Sequence, residues 1–334
     1  MRLGTVRMHG GPPRFAGRLA DSERIIDIVE AGRDLGLIGG TFPESLFDLL
    51  QFGSYGHRFI ADLEEAVARR GDLESAPWTV AADAVSFLPP IPRPGKVVCI
   101  NANRGNRGLE PLDADIQDEW PHPLFFLKAT SALAGHGETI ETWKAMRPVE
   151  IEGEVCLIIG RRARNVPASD VWSYVAGATL MNDIAAGRFS LQDGAVLHIS
   201  HGPGKDIEPM VSRQMARAKG ADGFCPMGPW VVPIDELGVD FEDIEVITRR
   251  EQDVVQRGVM SSHRFTAGEC MEAVTRWITL EPGDILSLGA FDQMEEFPFR
   301  DVDLSRNGGE RSVVSTVAPA QLAPLENSFT LLDP

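Results

Sequence analysis

Three glutamates recur at every second position in Val149–Gly160, a short segment with the composition of a strand. Successive side chains of a strand point to opposite faces, so Glu150, Glu152 and Glu154 would share one face at intervals of about 6 to 7 Å. Gly153 and the β-branched residues around it disfavour a helix. Three like charges that lead into an apolar run are unfavourable unless water or a cation neutralises them. The pattern indicates either a metal site or the solvated edge of an acidic protein.

An Asn-Asp pair further along the chain offers another carboxylate. The stretch Tyr174–Asp183 consists mostly of apolar and small residues and ends in Asn182 and Asp183. Together with two of the glutamates, Asp183 could complete a ligand shell of oxygens, which suits Mg²⁺, Mn²⁺ or Ca²⁺ rather than zinc. A turn or a helix cap is the other common use of an Asn-Asp pair. These residues alone leave both interpretations open.

The composition limits the classes of partner. The 334-residue chain has 32 lysines and arginines against 49 aspartates and glutamates, which gives a formal net charge of −17. Because this charge repels nucleic acid and anionic lipid, we expect a small-molecule partner, with neither nucleic acid nor membrane involved. The four cysteines lie far apart without a CxxC pair, and no apolar run approaches the roughly 18 residues of a membrane helix. A reducing, cytoplasmic location fits these features best.

Short strands and one helix are predicted for the N-terminal part of the chain. Apolar residues recur at helical spacing over Arg58–Arg70, with charged residues largely on the other face. The prolines of Phe87–Gly95 have no N–H group, so we expect that segment to be extended and outside any sheet. Three strand-like runs precede the helix, namely Met1–Val6, Phe15–Arg18 and Ile25–Val29.

The length of the chain favours a large catalytic domain with a smaller companion. Beyond the prolines, short β-rich runs are cut by glycine and proline, and the clearest helix candidates are Ala168–Leu180 and Ala267–Thr279. This arrangement favours a β-rich α+β fold over alternating βαβ units. The predicted divisions are a small N-terminal α+β domain at 1–75, a linker at 76–92 and a catalytic domain at 93–334.

Taken together, these segments resemble the fumarylacetoacetate hydrolase (FAH) family from about residue 90 to residue 289, in the same order. Each motif alone is weak, whereas six or more in order are collectively specific. The N-terminal 75 residues resemble the small domain that many bacterial members carry. The matching segments are Pro94–Ile100, Pro123–Lys128, Glu152–Glu154, Asn182–Asp183, Ala218–Lys219, Phe224–Trp230, Gln256 and Thr279–Asp284.

The resemblance implies a fold, a cofactor and an oligomeric state. It implies an FAH-type mixed β-roll catalytic domain, usually in a homodimer. It also implies Mg²⁺ or Mn²⁺, with Ca²⁺ as a further option, on the residues that match Glu152, Glu154 and Asp183. In that family the cation binds adjacent oxygens of a dicarbonyl substrate and acts as a Lewis acid for an enolate or carbanion.

The resemblance also assigns roles to three residues outside the metal set. Lys219 matches the active-site lysine of the family, whose ammonium stabilises developing negative charge beside the metal, and an ordinary surface lysine is the alternative. Lys128 matches a lysine near the pocket, where a structural salt bridge is the alternative. With Gln256, Lys128 is therefore predicted to bind substrate.

The segment that matches the family's lid departs from its pattern. Family hydrolases carry Asn-Tyr-x-x-His-x-x-Glu, whose His and Glu activate the attacking water, and the matching segment here is Asn103–Glu110. Glu110 is kept, but Arg107 stands in place of the histidine. A guanidinium stays protonated and has no acceptor, so Arg107 cannot be the general base. We predict that Arg104 and Arg107 bind a carboxylate or phenolate of the substrate while Glu110 transfers protons.

Further departures lie in the regions that contact substrate. The family's Asn-Asp-x-x-Ala-Arg-Asp-x-Gln becomes Asn182–Ser190, and its Thr-Gly-Thr becomes Leu288–Ala290. The metal set is thus kept better than the substrate set. A lid shifted by one residue that recruits His122 or His136 is a further alternative, although the favoured interpretation of each is an ordinary loop histidine.

Three functions agree with these residues. The leading hypothesis is a metal-dependent hydrolase or lyase that cleaves a C–C bond in a β-dicarbonyl or acylpyruvate-like compound, as the family association implies. The second is a decarboxylase, a keto–enol tautomerase or a related rearrangement through a metal-bound enolate, which needs no activated water and therefore fits Arg107. The third is a non-catalytic homologue that binds metal.

Overall fold

The computed structural model describes residues 1–8, 10–39, 42–104, 122–200, 207–212, 214–291, 311–318 and 322–332. In chain order the strands are β1 (Arg2–Met8), β2 (Pro13–Arg18), β3 (Arg24–Asp27), β4 (Thr79–Ala81), β5 (Val85–Phe87), β6 (Val97–Asn101), β7 (Leu124–Lys128), β8 (Leu133–Ala134), β9 (Thr139–Trp143), β10 (Val149–Glu150), β11 (Gly153–Ile159), β12 (Val175–Asn182), β13 (Ala185–Ala186), β14 (Ala195–Ser200), β15 (Ile207–Ser212), β16 (Cys225–Pro226), β17 (Glu245–Arg250), β18 (Asp253–Val259), β19 (Ile285–Ser287), β20 (Arg311–Val317) and β21 (Leu325–Leu332). The helices are α1 (Ile28–Asp34), α2 (Leu46–Gln51), α3 (Ser54–Arg70), α4 (Gly187–Gln192), α5 (Ala216–Lys219) and α6 (Ala267–Trp277).

The N-terminal strands form an antiparallel sheet in the order β4-β3-β2-β1-β5. The third predicted strand is too long, because the Asp27 carboxylate accepts a hydrogen bond from the Glu30 N–H at 3.1 Å and so caps α1. The predicted amphipathic helix is confirmed as α3, although it begins at Ser54 rather than Arg58. Its buried face consists of Gly56, Phe59, Ile60, Leu63 and Val67.

The segment predicted to be a linker contributes two strands to this sheet. β4 pairs with β3, and β5 pairs with β1, where Phe87 lies opposite Val6. After Phe87, residues 88–96 belong to no strand, as their prolines predict. The exact division of the chain into domains stays a prediction.

Two larger sheets carry the rest of the fold. A central sheet has the order β12-β11-β19-β6-β7, and a second sheet has the order β18-β17-β20-β21-β9. The pairs β19–β6 and β21–β9 are parallel, whereas the other pairs in these sheets are antiparallel. Two-stranded ladders join β10 to β13, β8 to β16 and β14 to β15. The β-rich α+β fold predicted from the sequence is confirmed.

The pairing of β11 with β12 overturns one predicted helix. Gly153 lies opposite Asn182 and Ile159 lies opposite Val175, so the helix predicted over Ala168–Leu180 is wrong. Residues 168–173 form a short 3₁₀ segment, and β12 follows it. The helical spacing of small residues in this stretch is a weak signal, and hydrogen bonding along the whole of β11 outweighs it.

Both faces of β11 are buried. Val155 and Leu157 pack in a core cluster with Met271 of α6, whereas Cys156 and Ile158 belong to a cluster that includes side chains of the N-terminal sheet and helices. Charged groups at the start of β11 therefore lie beside a shielded interior. The predicted helix over residues 267–279 is confirmed as α6, which starts with a capping box. None of the helices in the described ranges has the length and apolar character that crossing a bilayer requires.

Candidate metal centre

Three carboxylates meet where β11 begins and β12 ends. Glu152 and Glu154 flank Gly153, the first residue of β11, and Asp183 directly follows β12. The Asp183 N–H donates to the Glu152 carbonyl oxygen at 2.7 Å, which fixes the two strand ends side by side. One carboxylate oxygen from each of the three residues lies within 4.8 Å of the others. All three side chains are buried, so the cluster cannot be the solvated edge that the sequence left open.

The predicted row of three glutamates is only partly correct. β10 ends at Glu150 and β11 starts at Gly153, so no continuous strand carries all three residues. Glu150 is half-buried, pairs in register with Ala185 and does not belong to the cluster. The break in the strand turns Glu152 toward Asp183, which replaces Glu150 as the third carboxylate of the group.

Side-chain cations and one hydroxyl surround the carboxylates. The Lys219 Nζ lies 2.9 Å from Glu152 Oε2 and 2.5 Å from Asp183 Oδ2. The Arg104 guanidinium donates to the other oxygen of Glu152. The Ser287 hydroxyl of β19 donates to Glu154. Lys219 and Arg104, both predicted from the sequence as site residues, thus lie in direct contact with the metal set.

A fully buried lysine contacts the same aspartate from the other side. The Lys128 Nζ lies 2.7 Å from Asp183 Oδ1. It also donates to the backbone carbonyls of Ile184, Lys219 and Phe224 at 3.1, 2.7 and 2.6 Å. An ammonium has three protons, so these contacts saturate its donors. The salt bridge considered from the sequence is present, and the ammonium points into the protein interior.

The charges around the cluster shift two pKa values in a consistent way. Burial, together with the negative charges of Asp183 and Glu152, raises the pKa of Glu154 well above its ordinary value. Burial acts to lower the pKa of Lys219, but the charges of Asp183 and Glu152 outweigh it and hold that pKa above its ordinary value. Lys219 therefore stays protonated and can act as a cation but not as a base.

The donor set fits a hard divalent cation. The cluster offers only carboxylate oxygens, the ligands that Mg²⁺, Mn²⁺ and Ca²⁺ prefer. Three buried carboxylates at this separation repel one another, and burial together with this repulsion raises the pKa of Glu154. A divalent cation held by Glu152, Glu154 and Asp183 would relieve it. Burial raises the pKa of the nearby Cys225 thiol to about 12, so this thiol stays protonated and is a poor nucleophile.

The other predicted residues lie in varied positions. Gln256 is fully buried in β18, and its Oε1 accepts a hydrogen bond from the Gly153 N–H at 2.7 Å. Its Oε1 therefore contacts the backbone between the two clustered glutamates, Glu152 and Glu154. Arg107 and Glu110 lie outside the described residues, so their predicted roles stay predictions.

Neither histidine proposed as an alternative base reaches the carboxylates. His122 is exposed and lines a surface cavity with Trp277. His136 Nδ1 accepts a hydrogen bond from the Glu326 N–H at 3.1 Å, and its ring packs edge-on against Phe87 at 5.5 Å. Burial lowers the pKa of His136. Its contacts indicate a structural histidine.

Two residues that the sequence did not single out also bear on the site. Ser287 ends β19 two residues before a glycine with φ of +92°, Gly289, where a side chain would collide with Asn103. Asn103 is buried and donates to the Leu288 carbonyl at 2.8 Å, which fixes the backbone next to Arg104. The Leu-Gly-Ala departure from the family motif keeps the glycine that this close approach requires.

A separate cavity of about 560 Å³ lies between the N-terminal helices, the end of β11 and the start of β12. Leu46, Ile60, Ile158 and Trp172 line it, and none of the three clustered carboxylates does. The chemistry of charged groups is concentrated at the carboxylates, so we place the reactive site there.

Comparison with known proteins agrees with this geometry. Residues 96–327 match the family model described as "Fumarylacetoacetate (FAA) hydrolase C-terminal". Oxaloacetate tautomerase YisK of Bacillus subtilis is 28% identical over 280 residues, which cover 82% of this chain and 84% of that protein. The mitochondrial oxaloacetate tautomerase Fahd2a of Rattus norvegicus is 27% identical over 264 residues, which cover 77% of this chain and 75% of that protein.

Solved structures share the fold over its whole length. Maleylpyruvate hydrolase from Sphingobium sp. SYK-6, in complex with manganese (II) ion and pyruvate, superposes with a TM-score of 0.69 at 20% identity and 99% coverage of both chains. A 5-carboxymethyl-2-hydroxymuconate delta-isomerase from Mycobacterium smegmatis superposes with a TM-score of 0.62 at 23% identity, covering 100% of this chain and 99% of that chain. At such identities the likeness concerns the fold alone.

Proposed function

The chain belongs to the fumarylacetoacetate hydrolase family, and from that premise we propose that it catalyses the keto–enol tautomerisation of an oxaloacetate-like 2-oxodicarboxylate. The observation that supports this proposal most is the set of side chains around the carboxylates. Among the described residues these are Lys219, Arg104, Lys128 and Ser287, and none of them is a histidine. Arg107 stands at the family's lid histidine position. A keto–enol shift moves a proton between carbon and oxygen and needs no activated water.

The charge balance of the site supports a dianionic substrate. When all six groups are ionised, the carboxylates of Glu152, Glu154 and Asp183 are offset by the cationic side chains of Arg104, Lys128 and Lys219. A divalent cation then leaves an excess of two positive charges in a buried region. A dicarboxylate neutralises this excess, whereas a monoanion leaves half of it unbalanced. The relatives named oxaloacetate tautomerases support the same class of substrate.

Each residue has a distinct task in this proposal. When bound, a divalent cation supplies Lewis-acid polarisation of the 2-oxo group. The protonated Lys219 donates hydrogen bonds to the oxygen that gains negative charge as the proton leaves C3. Arg104, whose guanidinium is permanently charged, binds a substrate carboxylate and orients C3. Glu110 removes the C3 proton and delivers it to the enolate oxygen, and in the reverse direction it takes the proton from the enol hydroxyl and returns it to C3, so that the carboxylate is regenerated.

We propose Mg²⁺ or Mn²⁺ as the native ion. Three carboxylate ligands leave coordination positions for water and substrate, which is typical of these two ions. Manganese in the maleylpyruvate hydrolase structure supports this choice.

The test separates tautomerisation from the cleavage that the family name implies. EDTA-treated protein, with and without added Mg²⁺, is mixed with the enol form of oxaloacetate while the enol absorbance is followed. We expect Mg²⁺-dependent acceleration of the approach to the keto–enol equilibrium at constant mass, above the rate with Mg²⁺ alone. Acylpyruvates that split into two fragments with the gain of one water, without any acceleration for oxaloacetate, would establish a hydrolase and refute the proposal. Release of CO₂ would establish a decarboxylase.

Two matched variants test whether the activity depends on the three carboxylates. Glu152→Gln removes one charge from the cluster and should abolish both Mg²⁺ binding and the acceleration. Glu245→Gln removes a carboxylate that pairs with Arg257 on an exposed surface and should leave both properties unchanged. Equal loss in the two variants would show that the cluster is not the active site.

A further inference from the structure

A buried polar network lies behind the strand that carries Glu152 and Glu154. Gln256 Oε1 accepts from the Gly153 N–H at 2.7 Å and from the Thr248 hydroxyl at 3.1 Å. The hydroxyl oxygens of Thr248 and Thr316 lie 3.0 Å apart, and Thr316 donates to Asn182 Oδ1 at 2.6 Å. Gln256, Thr248, Thr316 and Asn182 are all fully buried. Each threonine gives its one hydroxyl proton to an amide oxygen, and the two hydroxyl oxygens lie in contact, so a chain of touching polar groups runs from Gly153 to Asn182 within the protein interior.

The two ends of this network adjoin all three metal-binding carboxylates. Gly153 lies between Glu152 and Glu154, and Asn182 immediately precedes Asp183. The four network side chains are neutral, so their effect on the carboxylates is positional rather than electrostatic. A rigid connection between these two backbone positions would fix the distances among the carboxylates before a cation binds.

The Gly153 N–H depends on Gln256 because strand pairing does not extend to it on that side. The ladder between β11 and β19 covers Cys156–Ile158 and stops before Gly153. The Gln256 side chain supplies the acceptor that a neighbouring strand would otherwise provide. Without it, a buried N–H would lack a partner at the residue between two ligands.

The fit around Gly153 is close. A Cβ at this position would lie 2.1 Å from Thr248 Oγ1 and 2.8 Å from Thr316 Cγ2. Only glycine allows β11 to rest directly on these two threonines. Since adjacent strand residues face opposite sides, the threonines lie on the face away from Glu152 and Glu154. The strand is thus held from behind while its carboxylates face the site.

We propose that Gln256 is a positioning residue that sets the spacing of Glu152, Glu154 and Asp183 through Gly153, Thr248, Thr316 and Asn182. The proposal rests on the carboxylates being the metal site, and it does not depend on which reaction they support. It replaces the substrate contact predicted for Gln256 with a role in metal affinity.

The test measures Mn²⁺ affinity by titration calorimetry on EDTA-treated full-length protein. Gln256→Met keeps the length of the side chain but removes the acceptor, and we expect about a tenfold loss of Mn²⁺ affinity, the usual effect of groups that orient ligands. Thr248→Val should weaken Mn²⁺ binding to a smaller degree, and Thr248→Ser, which keeps the hydroxyl, should restore it. If Gln256→Met does not fold, the Thr248→Val and Thr248→Ser variants still test the proposal.

Asn327→Leu is the matched control. Asn327 is another buried amide of the second sheet, and its Nδ2 donates to the carbonyls of Gly135 and Glu138 at 2.8 and 2.9 Å. Its loss should lower the Tm without changing Mn²⁺ affinity in the folded protein. Any of three results would overturn the proposal. They are wild-type Mn²⁺ affinity in both Gln256→Met and Thr248→Val, equal weakening of Mn²⁺ binding in Asn327→Leu, and no Mn²⁺ binding by the wild type. Normal Mn²⁺ binding without activity on oxaloacetate would overturn only the proposed function.

Discussion

The two sides of the Asp183 carboxylate carry lysines in different surroundings. On one side the Lys219 Nζ contacts carboxylates, those of Asp183 and Glu152. On the other side the Lys128 Nζ contacts Asp183 and three backbone carbonyls. A carboxylate can exchange an ammonium for a metal ion or share it with a substrate, whereas the backbone carbonyls hold the Lys128 ammonium in the protein interior. Under the proposed function, the same residue type therefore serves the reaction on one side and the fold on the other.

One of the carbonyls that Lys128 binds belongs to Lys219 itself. Lys128 thus ties the end of α5, which carries Lys219, to Asp183 and to the backbone of Ile184. The structural lysine holds the reactive lysine in place. The comparison shows that a match to a family lysine near the pocket does not reveal whether its ammonium faces the substrate or the interior.

Lys128→Met should produce the largest effect, and the effect should be on stability. Removing one partner of a buried ion pair leaves Asp183 Oδ1 without its neighbouring cation and takes a donor from three backbone carbonyls, so we expect the free energy of unfolding to fall by about 3 to 5 kcal/mol. Urea-induced unfolding followed by tryptophan fluorescence measures this change. Lys144→Met, at an exposed lysine, should stay close to wild type. Wild-type stability in Lys128→Met would remove the distinction between the two lysines.

Lys219→Met should act mainly on the rate. Loss of a group that stabilises developing charge typically lowers kcat by roughly 10² to 10³, and we expect a decrease of that size. The variant should also lose stability without metal and recover it in Mg²⁺, because the cation replaces the lost positive charge beside Glu152 and Asp183. Lys128→Met should recover less of its lost stability, because a cation cannot replace the hydrogen bonds to three backbone carbonyls. Rate assays and thermal unfolding with and without Mg²⁺ check both points, and equal recovery of the two variants would contradict the comparison.

Arg104→Gln should have a smaller effect, confined to substrate binding. Arg104 is partly exposed and donates to Glu152, so its guanidinium can turn to an incoming carboxylate. A charge-assisted hydrogen bond contributes about 1.5 to 3 kcal/mol, and we expect KM for the dicarboxylate to rise about tenfold or more with little change in kcat. Arg257→Gln, at a surface ion pair with Glu245, is the control. A large fall in kcat at constant KM would assign Arg104 to the chemical step instead.

The metal set could be predicted because its determinants are local. Glu152 and Glu154 sit on either side of one glycine, and Asp183 follows an Asn at the end of an apolar run, so short motifs identify all three. Helices α3 and α6 could also be predicted from the sequence, because an amphipathic period or a capping residue lies within each segment. Information contained in a few consecutive residues survives into the fold.

The rest depends on partners distant in sequence. The local sequence of residues 168–180 predicts a helix, but pairing with β11 makes most of this stretch a strand. Glu150 left the predicted row because β10 and β11 are separate strands with different neighbours. The family resemblance predicts that Gln256 binds substrate, whereas its side chain accepts a hydrogen bond from the N–H of Gly153, a residue 103 positions away in sequence. Such contacts arise from sheet order, which no local pattern encodes.

His136 gives the smallest prediction and extends the comparison to a titratable ring. Burial lowers the pKa of His136, and its Nδ1 accepts from the Glu326 N–H, a contact that protonation would abolish. The unfolded chain takes up a proton at its ordinary pKa of about 6.5, before the folded protein does, so stability should be lost as pH falls below that value. His136→Asn keeps an acceptor but does not titrate. The free energy of unfolding of His136→Asn should therefore decrease less than that of wild type between pH 7.5 and 5.5. An equal decrease would show that protonation of His136 does not contribute to the loss of stability.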